Sequence, residues 1–190
     1  MEHVVLLDEA GQGIGRQDKQ TVHTASTPLH LAFSCYVFDA AGRLLVTRRA
    51  AVKKTWPGIW TNSVCGHPAD GEPITDAVRR RAAFELGIAL DEVRLVLPRF
   101  RYRAELLGII ENEICPVFYA TTGDTPAPHP EEVDAVRWTP WPAFVTEAMA
   151  AGSPLSPWCR LQVQQLRAFG PVPADWPAVD PARLPPAAHW

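Results

Sequence analysis

The stretch from Gly66 to Ile88 reads GHPADGEPITDAVRRRAAFELGI and contains a helix with its own start and stop. Pro73 and Thr75 suit a first turn, Val78, Ala82 and Leu86 recur every four residues, and Gly87 ends the run, which predicts a helix over 73–86. Arg81 and Glu85 are four apart and share a face. The run Arg79 to Arg81 taken alone is an ordinary solvated face. Upstream, Phe33 to Phe38 and Arg43 to Arg48 are apolar runs joined by D-A-A-G, a hairpin with Gly42 in its turn. Downstream, strands are expected at Val93 to Leu97, Phe100 to Ala104, Asn112 to Ala120 and Ala135 to Trp138. The stretch Thr125 to Pro130 is expected to be a loop. Helices are expected at Phe144 to Ala151 and Trp158 to Phe169, the second burying Trp158, Leu161, Gln165 and Phe169. This mixture on one core indicates an α/β or α+β fold.

With 190 residues, 47% hydrophobic and 21% charged, the chain is sized and composed for one folded domain. A net charge of −3 supplies no basic field for nucleic acid. No apolar run is long enough to span a bilayer, and the first ten residues lack a signal-peptide pattern, so a cytoplasmic location and no membrane partner are expected. Cys35, Cys65, Cys115 and Cys159 form no C-x-x-C pair and are expected to be free thiols, with Cys35 in the core. From 170 to 190 the chain changes character: six of its last twenty residues are proline, with no apolar period. The expected division is a folded domain over 1–169 and a tail over 170–190 that is extended or disordered.

Three segments concentrate chemistry: HTASTPLH (His23–His30), TNSVCGH (Thr61–His67) and ENEICPVF (Glu111–Phe118). Together they offer three imidazoles, two carboxylates and a thiol. Such a donor set suits a divalent ion with five or six ligands. The E-x-E spacing on a strand turns Glu111 and Glu113 to the same side. Taken singly, each histidine is commonplace and a lone cysteine is usually buried and inert.

The pattern Gly66, Glu72, Arg80, Glu85, Gly87, Ile88 resembles the Nudix box, which implies a mixed β-sheet sandwiched between helices. Arg81 and Phe84 stand where the box has two of its clustered glutamates. That departure counts against phosphate-bond hydrolysis by the usual route. An arginine at this position can bind a diphosphate bidentately while Glu85 holds Mg²⁺.

The departures fit one branch. HTASTPLHLAFS, VTRRA, KKTWPGIWTNSVCGHP, FRYRA, GIIENEICPVF and SPW together resemble type 1 isopentenyl-diphosphate isomerase, from about Glu2 to Phe169. The resemblance implies a metal (Mn²⁺, Mg²⁺ or Zn²⁺) on His23, His30, His67, Glu111 and Glu113. It implies Cys65 and Glu113, assisted by Tyr102, as acid–base groups on opposite faces of the substrate, with Cys65 acting as a thiolate. Lys19, Arg49, Lys53 and Arg81 would bind the diphosphate, with a second metal, Mg²⁺, on Glu85. Trp158 would present its ring to a carbocation, and Trp56 and Trp60 would add apolar lining. His3 and His129 match no motif and are expected at the surface. The implied partner is a small homoallylic or allylic diphosphate, and a monomer is expected. Two other readings remain: a Nudix hydrolase of nucleoside diphosphate derivatives, and a metal-binding module without catalysis.

Overall fold

The computed structural model describes residues 2–190. In chain order the elements are β1 (His3–Leu7), β2 (Gly13–Asp18), α1 (Lys19–Val22), β3 (His30–Leu31), β4 (Phe33–Phe38), β5 (Arg43–Arg49), β6 (Trp60–Thr61), β7 (Val64–Gly66), α2 (Ile74–Leu86), β8 (Val93–Leu97), β9 (Arg101–Leu106), β10 (Ile109–Ile114), β11 (Val117–Thr121), β12 (Val133–Pro140), α3 (Trp141–Met149) and α4 (Pro157–Leu166). Two mixed sheets result. One has the order β2-β1-β3-β10-β9; the other runs β12-β5-β4-β11-β8, with β6 on β5 and β7 on β4.

The larger sheet is sandwiched between helices, and the alternation of strand side chains explains how. Phe33, Cys35 and Val37 of β4 pack with Ile74, Val78, Ala82 and Leu86 of α2. Tyr36 and Phe38 point the other way, into a cluster with Trp141 and Phe144 of α3 and Trp158, Val163 and Leu166 of α4. The 33–48 hairpin forms as expected, with Gly42 at φ 71°. So does α2, ended by Gly87 at φ 65° with its N–H on the Ala83 carbonyl. All four cysteines are free thiols.

The sheets are joined by one parallel strand pair that passes from the first to the second. Glu113 and Ile114 pair with His30 and Leu31, then Val117 to Thr121 pair with Ser34 to Phe38. Between them Ala32 N donates to Ile114 O and Ser34 N to Pro116 O, each at 3.0 Å. The single strand expected over 112–120 is therefore two strands in different sheets. Pro116 has no N–H to continue a ladder, and Cys115 N turns to Phe100 O at 2.7 Å.

One further expectation is corrected. The buried face of α4 is Trp158, Cys159, Gln162, Val163 and Leu166, while Leu161 is 43% exposed. The wider stripe follows from α4 facing both the sheet and α3. The segment 170–190, expected to be extended or disordered, packs against the rest of the chain. Trp176 is buried, its ring 4.8 Å from Trp141 and 5.7 Å from Phe38. Short 3₁₀ turns form at Pro173–Asp175 and Pro181–Arg183. Val179 N donates to Leu95 O at 2.9 Å, Ala187 N to Gly11 O at 3.0 Å and Ile74 N to His189 O at 2.7 Å. The prolines prevent a long helix but preset tight turns, and one buried indole anchors the segment. No helix among the described residues is long and apolar enough to cross a membrane.

Candidate active site

The strand order β3-β10-β9 places three side chains in one row across the smaller sheet. Glu113 lies between His30 on one neighbour and Tyr102 on the other. Its Oε1 is 3.4 Å from His30 Nε2 and 3.3 Å from His67 Nε2, and its Oε2 accepts from the Tyr102 hydroxyl at 2.8 Å. Two residues along β10, Glu111 Oε2 lies 3.0 Å from His23 Nε2. Between them Asn112 points to the other face and donates to Thr27 O.

The three imidazole rings lie 5.2–6.0 Å apart, centroid to centroid. Ligand atoms of His23, His30, His67 and Glu113 all lie within 4.8 Å of one another. His30 faces the Pro28 carbonyl through Nδ1 at 2.9 Å, which leaves Nε2 as its lone-pair nitrogen. His23 Nε2, His30 Nε2, His67 Nδ1 and Glu111 Oε2 are buried without a hydrogen-bonding partner in the chain. Buried polar atoms are normally paired, and a divalent cation satisfies such a set at once. The His/Glu cluster thus fits a metal. Burial pulls the His67 imidazolium down to about 3, which keeps the ring a neutral donor. Burial also opposes a charge on Glu113, but His30 and His67 hold its carboxyl well below the usual range. Burial, reinforced by the charge of Glu113, pushes the Tyr102 phenol well above its ordinary value.

Cys65 enters from β7, paired with Ser34 of β4 beside the bend. Its Sγ is 3.4 Å from Ser34 Oγ and 3.3 Å from both Asn62 side-chain atoms. Gln162 of α4 donates to Ser34 Oγ at 2.9 Å and accepts from the Tyr36 hydroxyl at 2.9 Å. Burial pushes the thiol up to about 11, against the pull of Ser34 and Asn62. Burial therefore favours the neutral thiol over the thiolate expected from sequence.

One cavity of about 490 Å³ gathers these groups. Cys65, His67, Tyr102, Glu111, Glu113, His23 and Trp158 line it, as do Lys19, Arg49, Lys53, Arg81 and Glu85. His30 is wholly buried behind its wall. The Trp158 ring lies 5.8 Å from Tyr102 and is backed edge-on by Trp56 at 5.4 Å. Trp56 is thus support rather than lining. Trp60 lies elsewhere, between Arg48 and Arg137 at 5.7 and 4.8 Å. His3 is exposed, and His129 stacks on the half-exposed Phe84 at 5.0 Å.

At the other end of the cavity, Arg81 bonds Glu85 through Nε at 2.9 Å and also through Nη2. Burial pushes the Glu85 carboxyl up, with Arg81 opposing. Arg49 donates to the carbonyl and hydroxyl of Thr55 at 2.9 and 3.0 Å. Lys19 pairs with Glu2, and Lys53 with Glu132, each at 2.6 Å. Burial disfavours the charge of Glu132, but Lys53 and then Arg81 hold its carboxyl below the usual range. Sequence reasoning missed Glu132, Glu2, Ser34 and Gln162. Asn62 could have been found from its place three residues before Cys65. Glu132 is held beside the cavity by Ala50 N, just past β5, which bonds its carbonyl at 3.0 Å.

Comparison with known proteins identifies the family. Residues 28–159 match the NUDIX domain family. Among solved structures, a Deinococcus radiodurans protein superposes with a TM-score of 0.67 at 18% identity, covering 86% of this chain and 98% of its own. A MutT NUDIX hydrolase from Burkholderia pseudomallei gives 0.55 at 22% identity, covering 73% and 98%; both show the fold alone. Curated relatives named isopentenyl-diphosphate Delta-isomerase are far more similar. That of Saccharopolyspora erythraea is 57% identical over 99% of this chain and 97% of its own length. That of Agromyces mediolanus is 58% identical over 89% and 82%, and that of Rhizobium rhizogenes 49% over 99% and 91%. A NUDIX domain whose helix carries Arg81 and Phe84 in place of two acids, and relatives this similar over nearly their whole length, lead to one assignment: the chain belongs to the isopentenyl-diphosphate Delta-isomerase family.

Proposed function

We propose that the protein interconverts isopentenyl diphosphate and dimethylallyl diphosphate; its relatives are named isopentenyl-diphosphate Delta-isomerase. The observation that carries the reading is the joint presence, in one cavity, of Cys65, the Glu113–Tyr102 pair and Trp158. Moving the double bond means adding a proton to the terminal methylene and removing one from the carbon beside the oxygen-bearing carbon. A tertiary carbocation forms between the two steps. A turnover of about 10 s⁻¹ allows a barrier of only about 16 kcal/mol. An unactivated alkene therefore needs a positioned acid, a base across its plane and electron density beside the cation.

Cys65 and Glu113 supply the acid–base pair. Burial favours a protonated Cys65 thiol, and His30 and His67 favour an ionised Glu113, with Tyr102 bridging to its Oε2; that arrangement is taken as the resting one. In the direction that forms dimethylallyl diphosphate, Glu113 or Tyr102 gives the proton and Cys65 takes one. That turnover starts from the swapped arrangement and ends in the resting one. The reverse reaction starts from the resting state, so both arrangements belong to one cycle. The Trp158 face supports the cation by about 2 kcal/mol, and the anionic partners supply more. The buried Tyr102 and Trp158 rings at this end of the cavity would keep water from the cation.

Mn²⁺, Mg²⁺ or Zn²⁺ held by His23, His30, His67, Glu111 and Glu113 would orient Glu113 and tune its acidity. Glu85 would hold Mg²⁺ with the diphosphate, and Lys19, Arg49, Lys53 and Arg81 would bind its oxygens. Arg81 and Phe84 leave Glu85 as the last of the clustered acids of the box, which counts against hydrolysis. A conversion assay with isopentenyl diphosphate, Mg²⁺ and Mn²⁺ tests the reading. Dimethylallyl diphosphate is the expected product, and release of phosphate with no isomer would refute it.

A further inference from the structure

The cations at the diphosphate end of the cavity are largely paired within the chain. Glu132 stands out among their partners. Its Oε2 lies 2.6 Å from Lys53 Nζ and 3.2 Å from Arg81 Nη2. One oxygen thus accepts from an ammonium and a guanidinium together, as a phosphate oxygen bound there would. The side chain is 16% exposed and lines the cavity. Its backbone is fixed on both sides: Ala50 N donates to its carbonyl at 3.0 Å and its own N–H to His129 O at 2.9 Å. Those bonds keep the carboxylate beside the 50–55 loop that bears Lys53.

We propose that Glu132 is an internal competitor for the diphosphate, a specificity-determining residue that makes the cavity take the divalent-metal complex of a diphosphate in preference to the bare anion. Bare diphosphate must part Glu132 from Lys53 and Arg81, and then sits beside the charges of Glu132 and Glu85, with which it must share those two cations. Like charges brought together in a desolvated cleft repel strongly. A divalent ion arriving with the diphosphate supplies the missing positive charge, so the complex escapes the penalty. The inference rests on the diphosphate reading of this end of the cavity.

The test is titration calorimetry of inorganic diphosphate into protein carrying metal in its His/Glu cluster and freed of excess metal, with and without added Mg²⁺. Wild type is expected to bind much more tightly with Mg²⁺. Glu132→Gln should tighten binding of the bare anion by about tenfold and narrow the Mg²⁺ preference accordingly. Glu132→Ala, which leaves no buried amide to satisfy, should do the same, whichever of the two folds better by circular dichroism. Glu131→Gln, on the exposed neighbour, should keep the wild-type ratio. Bare-anion affinity unchanged or weakened in the folded Glu132 variants would overturn the inference alone. Wild type failing to bind the Mg²⁺ complex would overturn the diphosphate site and this inference with it.

Discussion

The two oxygens of Glu113 face different groups: Oε1 looks toward His30 and His67, and Oε2 holds the Tyr102 hydroxyl. In the proposed reading one residue would thereby serve both the metal cluster and the proton path, whereas Cys65 touches Ser34 and Asn62 instead. The expected consequences separate. Glu113→Gln should abolish turnover and lower metal content, because the amide replaces a charged ligand. Cys65→Ala should abolish turnover with metal content unchanged. Elemental analysis of the two folded variants checks this, and equal metal loss in both would remove the separate role of Cys65. At this scale the sequence was most legible for residues inside long motifs: the three histidines, Glu111, Glu113, Cys65, Tyr102 and Trp158 do meet. Ionisation was not legible, because the thiol is governed by burial that no local pattern reveals. Nor was Glu132, whose neighbours in sequence say nothing of Lys53 and Arg81.

Among the elements, the loop from β7 into α2 shows what two of the matched box residues do. Glu72 accepts both Arg80 nitrogens at 2.8 Å and the Ala69 N–H at 2.7 Å, and Arg80 reaches the His67 carbonyl at 3.3 Å. They brace the segment that presents His67, and so act on structure. Arg80 holds the Glu72 carboxyl below its ordinary value despite partial burial. The depressed value means the pair stabilises above the usual carboxylate range and loses its effect as pH falls through the folded value. Glu72→Gln should therefore cost about 1 kcal/mol at neutral pH, discounted for the exposure of Arg80, and nothing at low pH. Urea unfolding at both pH values measures it, and a cost that persists at low pH would contradict the ion-pair account. Helix α2 and the 33–48 hairpin were readable because period, turn residue and stop signal agreed. The break at Cys115–Pro116 was not, since apolar residues continue on both sides and only pairing with Ser34 and Phe100 shows the change of sheet.

Across the whole molecule, the site lies where the two sheets hand over one strand pair, so its residues come from both sheets, α2 and α4. The 170–190 segment closes around the same body, touching the Gly11 turn, β8 and the start of α2. Its proline content leaves it without an apolar period, yet Trp176 packs among four aromatic rings, those of Phe38, Tyr119, Trp141 and Phe169. Trp176→Ala should cost about 3–5 kcal/mol in thermal or denaturant unfolding; a cost below about 1 kcal/mol would mean the indole is not packed as described. The most direct test of the account follows protein, Mg²⁺, Mn²⁺ and isopentenyl diphosphate in D₂O by proton NMR. The account predicts dimethylallyl diphosphate carrying deuterium, since the proton added passes through groups that exchange with solvent. Unchanged substrate from folded, metal-bearing protein would contradict it.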